Sequence, residues 1–259
     1  MLRVEPIPAF DDNYIWLLRE ADRVTVAVVD PGDADPVIAR LRAEGLELST
    51  VLITHHHHDH IGGIADLLAQ WPDAQVTAPA DRRIAGATRV VGDGDQVSVP
   101  GLDSLFAVIE VPGHTATHIA YLADDALFCG DTLFAAGCGR VFDGTFEQLA
   151  ASLRRIGALP SQTLCYCAHE YTLANLGFAA WVEPDNGALA ERIEQARMLR
   201  DIGQPTVPSE LGLELATNPF LRTAEPTVIS AAEGFAGETL ADRTAVFTAL
   251  RRWKDERYD

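Results

Sequence analysis

The sequence has a single lysine, Lys254, against nineteen arginines, and only four cysteines in 259 residues. Cys129, Cys138, Cys165 and Cys167 are too sparse for a disulfide framework, and no Cys-x-x-Cys pair is present to build a zinc ribbon or a redox motif. They read as buried free thiols. No apolar run approaches the ~18–20 residues needed to span a bilayer. The first ten residues carry Glu5 and two prolines where a secretory signal would place basic residues and an apolar segment. A soluble, cytoplasmic protein without a membrane partner is expected. Positive charge is scarce too: 20 Lys and Arg against 38 Asp and Glu leave a formal net charge of −18, a field that repels a phosphate backbone. The charge argues against a nucleic-acid partner.

With 47% hydrophobic residues the chain can bury a sizeable core, as one large domain or as a domain with a smaller companion. Strand-length apolar runs occur at Tyr14 to Leu18, Val24 to Val29, Val51 to Ile53, Leu105 to Val111 and Ala126 to Cys129, bounded by Gly, Pro or Asp. Between them, residues 36–44, 63–71 and 146–156 repeat apolar side chains at helical spacing. After His169 the texture changes: 172–182, 186–202 and 240–254 are all helix-period, whereas 203–227 is rich in Pro and Gly with little periodicity. A mixed α/β unit followed by a helical one is expected, with the boundary near 166–172.

All eight histidines fall between residues 55 and 169. The segment Thr54-His55-His56-His57-His58-Asp59-His60 follows the apolar run Val51 to Ile53 and precedes Gly62-Gly63, so it emerges at the end of a strand, where loops carry function. A tag or a solvated low-complexity tract would sit at a terminus and would not carry Asp59 and His60. Imidazoles with carboxylates and no nearby thiol suit a catalytic zinc, iron or manganese ion better than a structural zinc. Three further islands each follow a strand-like run: Pro112-Gly113-His114-Thr115, Cys129-Gly130-Asp131-Thr132 and Cys167-Ala168-His169-Glu170. No Gly-x-Ser-x-Gly elbow supports a serine hydrolase.

The run His55-His56-His57-His58-Asp59-His60 resembles the His-x-His-x-Asp-His signature of the metallo-β-lactamase superfamily, and the rest of the chain is similar to its hydroxyacylglutathione hydrolases, the glyoxalase II family. Asp12-Asn13-Tyr14, Asp30-Pro31-Gly32, Gly130-Asp131-Thr132-Leu133-Phe134, Gly137-Cys138-Gly139-Arg140, His169-Glu170-Tyr171-Thr172 and Asn218-Pro219-Phe220-Leu221-Arg222 carry the likeness. It implies an α/β, four-layer αββα fold over residues 1–168 and a C-terminal α-helical substrate-binding domain over 169–259. It further implies two divalent ions per chain, zinc first, with iron or manganese as alternatives. His55, His57 and His114 would hold one ion, Asp59, His60 and His169 the other, and Asp131 would bridge. His56, His58 and His118 are left as non-ligands.

The implied activity is hydrolysis of S-(2-hydroxyacyl)glutathione, chiefly S-D-lactoylglutathione, to glutathione and D-lactate in methylglyoxal detoxification, by a monomer. Asp59 and Asp131 would orient a metal-bridging hydroxide for attack on the thioester carbonyl. Arg140, Phe142, Tyr171, Arg251 and Lys254 would contact the glutathione moiety; Arg251 and Lys254, three apart, share a helical face. Two positions depart from the family: Phe142 stands where some members have tyrosine, and Gly177 where lysine is common. The alternatives are a mono-iron sulfur (persulfide) dioxygenase of the same superfamily and a metal-binding module without catalysis. The complete second ligand set and the long helical C-terminal region favour the hydrolase.

Overall fold

The computed structural model describes residues 2–258. They divide into two compact units: Met1–Glu110 with Thr117–Gly130, and Val111–Ala116 with Asp131–Asp259.

The first unit opens with β1 (Arg3–Ala9), β2 (Asn13–Arg19), β3 (Thr25–Val29), α1 (Ala34–Glu44), β4 (Glu47–Leu52), α2 (His58–Ile61), α3 (Ile64–Gln70), β5 (Gln75–Ala78) and β6 (Arg89–Val90). Its six strands form one sheet in sequence order; β1, β2 and β3 pair antiparallel and β3 to β6 pair parallel. Pro6 and Pro8 hide β1 from sequence reading. They are tolerated because β1 is an edge strand and both sit at the same phase of the pleat, so their missing N–H groups lie on one side of the strand. The central strands are buried along most of their length, as strands covered on both faces must be. Val37 and Leu41 of α1 and Ile64 and Leu67 of α3 join Leu17, Val28, Val51 and Val76 in one buried cluster, each such side chain contributing about 1.5–3 kcal/mol of burial. Asp33 caps the start of α1, and Gly45, at φ 66°, ends it in the left-handed conformation open to glycine at little cost.

The same unit continues with β7 (Gln96–Ser98), β8 (Leu105–Glu110), β9 (Ile119–Ala123) and β10 (Ala126–Gly130), an antiparallel meander. Tyr121 of β9 ties it to the first sheet: its buried hydroxyl donates to the carbonyls of Ile53 and Thr77 at 3.0 and 3.1 Å. Burial and the nearby Asp30 carboxylate push the Tyr121 phenol upward, so it stays a donor.

The second unit contains β11 (Leu133–Phe134), β12 (Gly137–Cys138), α4 (Phe146–Gly157), β13 (Leu164–Cys167), α5 (Thr172–Val182), α6 (Gly187–Asp201), β14 (Ser209–Glu210), α7 (Leu211–Thr217), α8 (Pro226–Ala236) and α9 (Arg243–Arg257). β11 and β12 make a hairpin, and β13 pairs with β14. A capping box fixes the start of α4: Thr145 accepts from the Gln148 amide while the Gln148 side chain accepts from the Thr145 amide. Helix α9 begins at 243, later than its apolar pattern suggests, because the Asp242 carboxylate accepts from the amides of Thr244 and Ala245, both at 2.8 Å. The aperiodic stretch 203–227 contains β14, α7 and the first turn of α8. Helix α7 escapes periodicity because it has seven residues and buries two polar ones, Glu214 and Thr217. Among the described residues no helix is long and apolar enough to cross a membrane.

Candidate metal centre

In the first unit, strand β4 runs into Ile53-Thr54, and the histidine segment turns there into the single helical turn α2. One buried carboxylate organises it. Asp30, at the end of β3, accepts from the Thr54 amide at 2.8 Å and from the Thr54 hydroxyl at 2.7 Å. Having donated its proton to Asp30, that hydroxyl accepts from His55 Nδ1 at 3.0 Å. His60 Nδ1 lies 3.1 Å from Asp30 Oδ2, the same oxygen that receives the Thr54 hydroxyl. The Thr54 contact puts the ring proton of His55 on Nδ1, and the Asp30 carboxylate beside His60 Nδ1 favours the same tautomer there, so each Nε2 presents its lone pair. His55 Nε2 stands 3.1 Å from His57 Nδ1, close to the ~3.3 Å edge of a tetrahedron built on zinc–nitrogen bonds. His60 Nε2 stands 3.6 Å from Asp59 Oδ2. Asn13, buried at the start of β2, holds Asp59 by donating to its Oδ2 at 3.2 Å. Gly32 permits this arrangement, since a Cβ there would lie 2.0 Å from the Asp59 carbonyl oxygen.

Two other histidines of this unit make different contacts. His56 Nδ1 lies 3.5 Å from Asp81 Oδ2. Hydrogen bonds from Arg83, opposed by burial and aided by Thr117, hold the Asp81 carboxyl well below the usual range, so it is ionised. The His118 ring stacks on His55 with centroids 4.6 Å apart.

In the second unit the ligand candidates come from three separate loops. Asp131 Oδ2 lies 3.5 Å from His114 Nε2 and 3.4 Å from His169 Nε2, so one carboxylate oxygen serves two imidazoles. His114 Nδ1 donates to the Arg140 carbonyl at 2.8 Å, which leaves its Nε2 as the electron-pair donor. Gly139 is needed beside it: a Cβ there would lie 2.1 Å from the Asp131 carbonyl oxygen. The His169 ring is sandwiched by aromatics, stacked on Tyr171 at 4.7 Å and met edge-on by Phe134 at 5.8 Å.

Each unit thus carries imidazole nitrogens with their lone pairs set beside carboxylate oxygens, and no thiolate. That donor chemistry fits hydrated divalent cations of the zinc, iron and manganese type. Residues 9–169 match the model of the metallo-beta-lactamase superfamily, and residues 170–257 match that of the hydroxyacylglutathione hydrolase C-terminus. The chain belongs to the hydroxyacylglutathione hydrolase family. A hydroxyacylglutathione hydrolase of Alkalilimnicola ehrlichii is 57% identical over 256 residues, 99% of this chain and 100% of that one. Another from Vibrio cholerae is 52% identical over the same shares. The crystal structure of BLEG-1 B3 metallo-beta-lactamase shares the fold at a TM-score of 0.62 and 22% identity, covering 85% of this chain and 99% of that one. The α/β metallo-β-lactamase fold with a C-terminal helical region, expected from sequence, is therefore borne out, and the His/Asp donor sets of this family member fit a dinuclear metal site.

The residues expected to contact glutathione all lie in the second unit. Phe142 is 64% exposed, and its ring meets His114 edge-on at 5.2 Å. Tyr171 is partly exposed at the start of α5. Arg251 and Lys254 do not form a solvated helix end: they are 0% and 6% exposed. Arg251 donates to the Cys138 carbonyl at 3.1 Å and to Asp255 at 2.8 Å, with its guanidinium over the Phe220 ring. Burial pushes the neighbouring Cys138 thiol up to about 11, against the pull of Arg251, so it remains protonated. Arg140, largely exposed, lies 3.7 Å from the same Asp255 carboxylate. At Gly177, a Cβ would lie 1.9 Å from the Tyr258 hydroxyl, so Tyr258 fills the space a longer side chain would need. Sequence reasoning assigned no role to Asp30, Asn13, Thr54 or Asp255. Asp30 and Asn13 stood inside motifs that carry the family likeness, while nothing in the sequence marked Asp255.

Proposed function

We propose that this chain hydrolyses S-(2-hydroxyacyl)glutathione thioesters, chiefly S-D-lactoylglutathione, to glutathione and D-lactate, with two divalent cations, zinc first. In this reading His55, His57 and His114 hold one cation, Asp59, His60 and His169 the other, and Asp131 serves both. The single observation that carries it is the Asp131 Oδ2 atom set nearly equally from His114 and His169, at 3.5 and 3.4 Å. Bound there, the pair of cations would polarise the thioester carbonyl and make water acidic enough to attack at neutral pH.

The chain's own groups do the rest. Asp59, fixed by Asn13, and Asp131 accept hydrogen bonds from the attacking water and aim its lone pair at the carbonyl carbon. The Nδ1 bonds of His55 and His114, and the Asp30 carboxylate beside His60 Nδ1, restrain the imidazoles, so little orientation cost is left for the moment of reaction. Arg140, Tyr171, Phe142 and Lys254 bind the glutathione carrier and the buried Arg251 supports them through Asp255 and the Cys138 carbonyl, with residues 1–168 acting as the catalytic domain and 169–259 as the substrate-binding domain. The departing thiolate, with a conjugate-acid pKa of about 8.5, needs less help from a general acid than an amine would. We further propose that the protein is a cytoplasmic monomer; its four thiols are buried and none is in a disulfide, which suits a reducing compartment.

Metal analysis beside a thioester assay tests this reading. Two metals per chain and rapid turnover of lactoylglutathione, with slow turnover of the same acyl group on a simple thiol, are expected. One iron per chain with oxygen uptake on a glutathione persulfide would instead place the chain among sulfur dioxygenases, and metal binding without turnover of either thioester would make it a binding module.

A further inference from the structure

The second unit contains a buried ion pair for which the reaction has no use. Glu214 of α7 is fully buried, and Arg192 of α6 nearly so. The carboxylate is saturated. Its Oε1 accepts from Arg192 Nη2 and from the Ser209 hydroxyl; its Oε2 accepts from the Ala136 amide at 2.9 Å and from Asn218 Nδ2 at 3.0 Å. Arg192 also donates to Thr217 Oγ1 at 2.6 Å, and Asn218 donates to the Gly137 carbonyl at 2.9 Å. Two of these partners belong to the β11–β12 hairpin, Ala136 in its turn and Gly137 in β12.

That turn is strained without outside support. It joins two strands through Ala135 and Ala136, and Ala136 has φ 55°, a left-handed conformation that a residue with a Cβ seldom adopts. The hairpin also reaches two of the three metal-ligand candidates of its unit. Phe134, its first strand, meets the His169 ring, and Arg140, two residues past its second strand, accepts from His114 Nδ1. The Cys138 carbonyl between them receives Arg251.

We propose that the Glu214–Arg192 pair is a positioning device: it locks the Ala136 turn and, through the hairpin, sets His114 and His169 for metal binding. Neither residue touches substrate or metal. The inference rests on the ligand assignment above for its functional readout. A pair kept only for stability would be dispensable in apolar form, because buried ion pairs are often replaced by hydrophobic side chains without loss, whereas removing one partner alone is damaging.

Four full-length variants separate the two roles. In Glu214→Gln the amide must point its NH₂ group either at Arg192 or at the Ala136 amide, a conflict in both rotamers. In Arg192→Met/Glu214→Gln the conflict is gone, because the NH₂ group can donate to Ser209 while the oxygen still accepts from Ala136 and Asn218. Arg192→Met/Glu214→Leu keeps the volume and loses the acceptor. Ala136→Gly/Glu214→Gln removes the need for a strained alanine. Zinc affinity by chelator competition, kcat for the thioester, melting temperature and hydrogen exchange at the Ala136 amide are read for each.

Glu214→Gln should lose about 10- to 100-fold in zinc affinity, the range seen when partners behind metal ligands are removed, and Ala136 should lose protection. The Met/Gln pair should recover both to within a few-fold of the parent protein. The Met/Leu pair should recover melting temperature but neither zinc affinity nor kcat. Ala136→Gly combined with Glu214→Gln should regain part of the zinc affinity. Parent-like zinc affinity and Ala136 protection in the Met/Leu pair would overturn the proposal, as would failure of the Met/Gln pair to restore either. A parent protein that bound zinc but not as a thioesterase would sink the functional reading alone, since Ala136 protection and zinc affinity would still report on the turn.

Discussion

The two units arrive at similar donor geometry by opposite means. In the first, four ligand candidates lie within six residues, His55 to His60, and one buried carboxylate, Asp30, governs the tautomers of two of them. In the second, three candidates come from loops at 114, 131 and 169, held by a main-chain carbonyl, an aromatic sandwich and a hairpin tied down by Glu214. A local cluster needs one anchor because the chain itself keeps its members together. A dispersed one must close long loops, so it is framed by several contacts, each from a different element.

The strongest test of that contrast is Asp131→Ala. On the proposed assignment its shared oxygen would serve both cations, so both metals and nearly all activity should be lost. Elemental analysis should show well below two metals per chain, a larger effect than the 10–100-fold typical of partners behind the ligands. A fully active protein with a single metal would break the dinuclear reading.

Within the local cluster, His57→Ala should lose metal and most turnover, whereas His56→Ala, whose ring faces Asp81, should keep both metals. Equal metal loss in the two variants would show that the register of the run is misassigned. Asp30→Asn comes next. It puts an amide where the Thr54 hydroxyl and His60 Nδ1 need an acceptor, and zinc affinity should fall by about 10- to 100-fold. If it falls less than in Glu214→Gln, the single-anchor description of the local cluster fails.

A smaller effect is expected at Lys254. A hydrogen bond contributes about 1 kcal/mol net, so Lys254→Ala should raise KM for lactoylglutathione roughly 3- to 10-fold. kcat should change much less, because carrier binding is equal in ground and transition states. Hydrolysis of a thioester without glutathione should barely respond; equal losses on both substrates would mean that Lys254 supports the fold.

The smallest effect concerns acid stability in the helical region. Burial disfavours the charged form of Glu183, but hydrogen bonds from Arg222 and Thr227 outweigh it and hold its carboxyl below the ordinary 4.5. A depressed folded-state value adds stability that is present above 4.5 and drains away as the pH falls through the folded value. Melting temperatures of Glu183→Gln and the parent protein should therefore converge as the pH drops below 4.5, and a constant gap would contradict the pairing with Arg222.

What could be read from the sequence was what lies close along the chain. Helix α5 shows itself at 172–182 because its apolar residues recur every three to four positions, and the histidine run shows itself because its ligands are near neighbours after an apolar strand. Residues from distant loops, His114, Asp131 and His169, could be named through family motifs, but their mutual distances come only from the fold. Strand β1, helix α7 and the burial of Arg251 were not legible. Prolines mask an edge strand whose N–H groups are not needed, a seven-residue helix is too short for a period, and a charge can be buried only where a partner waits. That partner is a tertiary fact: Cys138 lies 113 residues from Arg251, and Ala136 lies 78 from Glu214. Local periodicity carries no information across such separations, so the sequence determined the elements and the ligand types, and the packing of distant segments decided which charges are buried and which turns are held.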